Sequence, residues 1–160
     1  MNVREAVPAD AAAVRVLAES ALRATYTGLL SKRTIDTFVD LAYSIDRLHR
    51  RIDGHTFLVV EEDGSLIAFA DATPEDGRLN LGAIYADPAR RGEGAGTLLL
   101  TELWNRFPGL PITADVLRGN RKGEVFYERR GFVPREEIET DLFGEPVVER
   151  RWWLAARLDE

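Results

Sequence analysis

Three glycines within five residues, Gly92, Gly94 and Gly96, stand between an apolar run and the start of a helical pattern. The run, Leu79–Tyr85, reads as a strand, and Ala95–Phe107 has helical apolar spacing that Pro108-Gly109 brings to an end. Such a loop turns a strand directly into a helix and leaves the main chain bare. Glycine allows close approach of a ligand, and the first amides of a helix have no intrahelical acceptor. Together with the helix dipole those amides form a cradle for an anion. Arg90 and Arg91 add positive charge at the same place, which a loop serving only to change direction would not need.

The rest of the composition narrows what the cradle can serve. Without cysteine there is no thiolate nucleophile, disulfide framework or Cys-ligated metal, and two histidines, His49 and His55, are too few for a His-rich site. No apolar run approaches the ~18 residues that span a bilayer. At 160 residues with 45% hydrophobic and 30% charged side chains, residues 1–160 are expected to form one cytoplasmic domain with no membrane partner. The net charge of −6 argues against nucleic acid. Yet Pro88–Arg135 holds nine basic residues against five acidic ones, a local basic segment in an acidic chain.

Along the chain, Asn2–Val7 reads as a strand and Ala9–Thr25 as an amphipathic helix. Ser31 and Ser44 are N-caps for two further helices, the second stopped by Gly54. Thr56–Glu61 and Ser65–Thr73 are strands joined by Asp63-Gly64, a type I′ hairpin signal. After the Pro74–Gly77 turn and the glycine loop come a strand at Ile112–Val116 and a helix at Asn120–Arg130 ended by Gly131. Phe132–Glu137 and Val147–Leu154 close the chain around a turn at Phe143–Pro146. The order predicts a mixed α/β fold with an antiparallel middle.

Two familiar phosphate loops fit poorly. No Gly-Lys-Ser/Thr follows, which excludes a P-loop. A dinucleotide loop needs G-x-G-x-x-G after the first strand of a parallel unit, whereas this G-x-G-x-G follows four strands, two of them a hairpin. Asp115, placed where a ribose-binding acid would sit, keeps that alternative open.

Arg91-Gly92-Glu93-Gly94-Ala95-Gly96 resembles motif A of the GNAT (general N-acetyltransferase) superfamily. Val116-Leu117-Arg118-Gly119-Asn120, followed by Val125-Phe126-Tyr127-Glu128-Arg129-Arg130-Gly131-Phe132, is similar to its second signature. Arg23–Leu30 resembles the helix–loop of small bacterial members. The resemblance covers nearly the whole chain. It implies an α/β (mixed α+β) fold with a central, mostly antiparallel sheet of six to seven strands. That sheet would splay between its fourth and fifth strands, with helices on both faces and a bulge at Gly82. It further implies transfer of an acetyl group from acetyl-CoA to a primary amine by direct attack, in a possible homodimer. On this likeness the amides of Arg91, Gly92, Glu93, Gly94, Ala95, Gly96 and Thr97 would hold the pyrophosphate. The backbone of Ile84, Tyr85 and Ala86 would pair with the pantetheine arm, Asn120 and Gly123 would contact the cofactor, and Tyr127 would be the general acid.

Where many members carry a basic Glu this chain has Asn80, and an amide is no proton acceptor. Asp71, Glu75 and Asp115 are the carboxylates left as candidates, with a water chain and no dedicated base as the alternative. A CoA-binding module without catalysis is the alternative this departure raises. Tyr26, Phe38 and Tyr43 are expected at the acceptor pocket or in the core. Trp152 and Trp153, adjacent on a strand, must point to opposite faces.

Overall fold

The computed structural model describes residues 1–157, so the last three residues of the expected domain, 158–160, lie outside the described residues. Strand β1 (Asn2–Glu5) leads through a 3-10 turn at Pro8–Asp10 into α1 (Ala11–Tyr26), α2 (Lys32–Ala42) and α3 (Ile45–Gly54). Strands β2 (Thr56–Glu62), β3 (Ser65–Glu75) and β4 (Arg78–Ala86) follow as a meander. Then come α4 (Ala95–Arg106), β5 (Ile112–Leu117), α5 (Arg121–Arg129), β6 (Val133–Leu142) and β7 (Glu145–Leu154). The seven strands form one sheet in the order β1-β2-β3-β4-β5-β7-β6, antiparallel except for β4 beside β5. This is the mixed, mostly antiparallel architecture expected, with the full seven strands.

Local chemistry sets the boundaries. Ser31 and Ser44 cap α2 and α3 by accepting from the amides of Thr34 and Arg47. Asp63 and Gly64 both have positive φ, as a type I′ hairpin requires. Asp76-Gly77 and Phe143-Gly144 repeat that pairing, so β3 runs on to Glu75 and the last hairpin turns on two residues instead of four. Strand β6 is also longer than its expected Phe132–Glu137. Eight of its ten residues are exposed, and an acidic edge strand offers no apolar alternation to read.

Helices cover both faces of the sheet. Phe57 and Val59 of β2 pack with α1 and α3, whereas Leu58 and Val60 join α4, Tyr127 and Trp152 on the other side. That two-sided cover explains why Phe57–Val60 is one unbroken apolar run. Trp152 is buried, and Trp153 on the opposite face donates from Nε1 to Glu136 and lies against Arg135. Tyr43 belongs to the core at 1% exposure, not to an acceptor pocket.

Asp71, one of the candidate bases, has a structural post. Its buried carboxylate accepts from Arg51 Nε at 2.7 Å and lies 2.7 Å from His55 Nδ1. Arg51 also donates to the Ala42 carbonyl and lies 4.6 Å from the centre of the Tyr43 ring. The ends of α2 and α3 are thereby fastened to β3. Asp71→Ala would strand the enclosed guanidinium and is expected to lower unfolding free energy by about 3 kcal/mol, measured as a shift of the urea midpoint.

Candidate active site

The site begins with a strand irregularity. In the β3–β4 ladder Asp71 faces Ala83 while the next residue, Ala72, faces Leu81, so Gly82 is the extra residue of a bulge. Strand β4 pairs with β5 only through Leu79–Leu81 against Ile112–Ala114. Beyond the bulge β4 stays on β3 and β5 stays on β7, so both lose contact with each other. The edges of Gly82–Ala86 and Asp115–Leu117 that face each other have no strand partner.

Into this fork the glycine loop delivers the start of α4. Gly94 is its N-cap at φ 96°, with no side-chain cap, and Gly92 also has positive φ. The first backbone bond of the helix runs from the Leu98 amide to the Gly94 carbonyl. Among the described residues, the amides from Arg91 to Thr97 donate to no protein group. The loop is therefore an open row of donors at a positive helix end.

Cradle and fork belong to one cleft of about 910 Å³. Its walls include Ile84, Tyr85, Ala86, Arg91, Gly92, Gly94, Ala95, Gly96, Thr97, Asn120, Gly123 and Tyr127. Of the residues expected to hold the cofactor or act as the acid, only Glu93 does not line it, its side chain being turned to Arg90. Arg90 is at the cleft edge but divides its charge between Glu93 and Glu62, each 3.0 Å away. Arg91 donates to Thr25 Oγ1 and so ties the loop to α1. Arg121, Lys122, Arg129 and Arg130 also line the cleft, against the single carboxylate of Asp115.

Two glycines owe their presence to packing. A Cβ on Gly96 would fall 2.8 Å from the Phe126 ring, and one on Gly123 would fall 2.7 Å from Asn120 Nδ2. Asn120 is the N-cap of α5 and accepts from the Gly123 amide, so Gly123 makes room for the cap. Gly96 lets α4 close against Phe126, which in turn lies under Arg130 at 3.7 Å.

Three phenols converge on the fork. Tyr26 and Tyr85 meet hydroxyl to hydroxyl at 3.1 Å. Tyr127 is 8% exposed, with its ring held edge-on by Phe126 and Phe132. Its hydroxyl has no protein partner among the described residues and opens on the cleft. Burial pushes all three phenols above their usual range, so they stay protonated at neutral pH.

The carboxylates expected to act as bases are engaged. Asp71 is clamped, Glu75 pairs with Arg78 at 3.2 Å, and Asp115 is gripped by both prongs of Arg151 at 2.8 and 3.1 Å. Asn80, in the sealed part of the β4–β5 pairing, accepts from Arg78. With Asp115 in an ion pair and only one parallel pair in the sheet, the dinucleotide alternative loses its support.

Gly96→Ala is expected to displace Phe126 and cost about 1–3 kcal/mol as overpacking. Gly94→Ala retains the packing and costs about 1–2 kcal/mol from the left-handed backbone alone. Urea unfolding of the two variants, with near-ultraviolet dichroism as a reporter of the aromatic cluster, checks both expectations.

Residues 53–134 match the model of the acetyltransferase (GNAT) domain. The peptidyl-lysine N-acetyltransferase YjaB of Salmonella typhimurium is 33% identical over 67 residues, spanning 42% of this chain and 45% of that protein. Among solved structures, the PaiA N-acetyltransferase of Thermoplasma acidophilum in complex with coenzyme A superposes with a TM-score of 0.80 at 23% identity. It covers 93% of this chain and 96% of its own. The solution structure of apo YjaB from Escherichia coli gives 0.76 at 20% identity, with 97% of each chain covered. Those two likenesses establish the shared fold. No described helix is long and apolar enough to cross a membrane. With both signature segments meeting in one cleft and the domain model spanning half its length, the chain belongs to the GNAT acetyltransferase family.

Proposed function

We propose that this chain, acting as a single catalytic domain, transfers the acetyl group of acetyl-CoA to a primary amine by direct attack. One observation carries the reading: an uncapped glycine cradle, a strand edge without a partner and an unpaired tyrosine hydroxyl all open on one cleft.

The cleft fits the co-substrate part by part. The free amides of Arg91–Thr97 suit a pyrophosphate, with Arg121 and Lys122 within the same walls. The free edge at Ile84–Ala86 suits a pantetheine arm, whose amides can pair with a strand as another strand would. At the fork, Tyr127 is placed to protonate the departing thiolate. As the amine nitrogen bonds to the acetyl carbon, the carbon–sulfur bond breaks, the phenol hydroxyl gives its proton to sulfur, and the proton shed by the nitrogen restores the phenol. Asn120 contributes its cap and a free amide Nδ2 on the cleft wall.

The acceptor approaches from the opposite face of the sheet, where β5, β6 and β7 present Asp115, Glu136 and Glu149 around Arg151. That acidic surface favours a cationic amine. The lysine substrate in the name of YjaB supports including lysine peptides among the acceptors tried.

Acetyl-CoA at ~100 times its dissociation constant should stabilise the fold by about 2.7 kcal/mol, and NADH should not. Tyr127→Phe is expected to lower turnover about 100-fold while leaving that thermal shift intact. Because burial holds the phenol above its ordinary value, the rate with the wild-type chain should show no loss of the acid form up to about pH 10. Thiol release across a panel of lysine peptides and polyamines checks the activity. Binding without release to any of them would point to the non-catalytic module instead.

A further inference from the structure

Most carboxylates near the fork have a partner; Glu139 has none but is exposed, and the partly buried one without a partner lies on β7. Asp115, Glu75 and Glu136 are bound to Arg151, Arg78 and Trp153, and Glu145 accepts from the Ser31 amide and Thr34 hydroxyl. Glu149 is partly buried and has neither a hydrogen bond nor an ion pair among the described residues. A carboxylate withdrawn from water without compensation is costly for folding, so its place matters.

Glu149 sits opposite Leu117 on β5 and opposite Ile138 on β6. Strand alternation puts it on the same face as Asp115, which pairs with Arg151 one step along the ladder. Asp115 lines the main cleft. Leu117 and Val147 line a second hollow of about 440 Å³ between the α1–α2 loop and the β6–β7 hairpin, and Leu29 lines both. Glu149 lines neither space itself, but its same-face neighbours do, Asp115 on the cleft and Leu117 and Val147 on the hollow, and its charge reaches Tyr26 of the cleft wall. Its cross-strand neighbours are apolar. The charged and titratable groups around it are Asp115 from β5, Glu136 from β6, Arg151 on its own strand and Tyr26 from α1.

We propose that Glu149 receives the ammonium of the acceptor and removes its proton, supplying the base that Asn80 cannot. The inference rests on the acetyl-transfer reading. The carboxylate takes one proton from the ammonium, directly or through one water, and leaves a neutral amine with a free lone pair. That pair forms the bond to the acetyl carbon as the carbon–sulfur bond breaks, the sulfur takes the Tyr127 proton, and the second proton that the nitrogen sheds as the amide forms restores the phenol. Burial and the neighbouring Asp115 charge raise the carboxyl of Glu149, with Arg151 opposing them. A raised carboxyl is a stronger proton acceptor than an ordinary one.

The test compares wild type, Glu149→Gln and Glu149→Asp with acetyl-CoA and the best amine of a lysine-peptide and polyamine panel. Rates are read from pH 6 to 9.5, alongside thermal unfolding with and without acetyl-CoA. Glu149→Gln should lose about 100-fold in kcat/KM, steepen its dependence on amine deprotonation and keep the acetyl-CoA shift. Its melting temperature should be no lower than wild type, since the lost charge had no partner. Glu149→Asp should recover part of the rate. A Glu149→Gln chain with wild-type rates and pH profile overturns the assignment while leaving acetyl transfer standing. So does a rate loss matched by a lowered melting temperature or a lost acetyl-CoA shift. A wild-type chain that transfers to no amine overturns both.

Discussion

The early parting of β4 and β5 is the constraint on which the rest of the structure depends. After three paired positions the bulge at Gly82 turns β4 away, and two strand edges that would otherwise satisfy each other are left open. Unpaired backbone in a protein interior is unfavourable unless another donor or acceptor arrives. The opening is tolerable because each strand keeps its other neighbour, β3 on one side and β7 on the other. The fork also gives the start of α4 a place to present its bare amides, and lets Tyr26 and Tyr85 close the far wall through their shared hydroxyl contact.

Around this opening the polar groups divide into two populations. Those with partners hold the fold together: Asp71 with Arg51 and His55, Arg91 with Thr25, Asp115 with Arg151, Glu145 with the start of α2. Those without partners gather at or beside the cleft: the loop amides and the Tyr127 hydroxyl on its walls, and the Glu149 carboxylate on the same sheet face as Asp115. An unsatisfied group is a cost to stability unless a ligand completes it. The concentration of such groups at one fork is what separates a reactive cleft from an ordinary surface groove.

Much of this was legible in the residues. Asp63-Gly64 named its turn, Ser31 and Ser44 named their helices, and the glycine loop with Asn120 and Tyr127 named the cleft, because local backbone chemistry is written in short segments. The readings that the structure changed or added to concerned neighbours that no single motif shows, most of them far apart in sequence. Gly96 and Gly123 suggested close approach to a ligand, yet their Cβ positions are contested by Phe126 and Asn120. Arg90 suggested a free charge beside the phosphate cradle, and Glu62 reaches it from the β2–β3 hairpin. Asp71, Glu75 and Asp115 suggested bases, and each has an arginine beside it. Glu149 carried no signal at all, since it sits among acids and arginines in a strand whose pattern is not apolar.

The sequence by itself determined the elements, the glycine cradle at the start of α4 and the family to which the chain belongs, because turns, caps and helix starts depend on a few adjacent residues. Only the tertiary structure decided which ionisable groups are paired and which are left over. An ion pair is made between strands and helices that the chain brings together from a distance, and a lone glutamate is recognisable only once every possible partner has been placed.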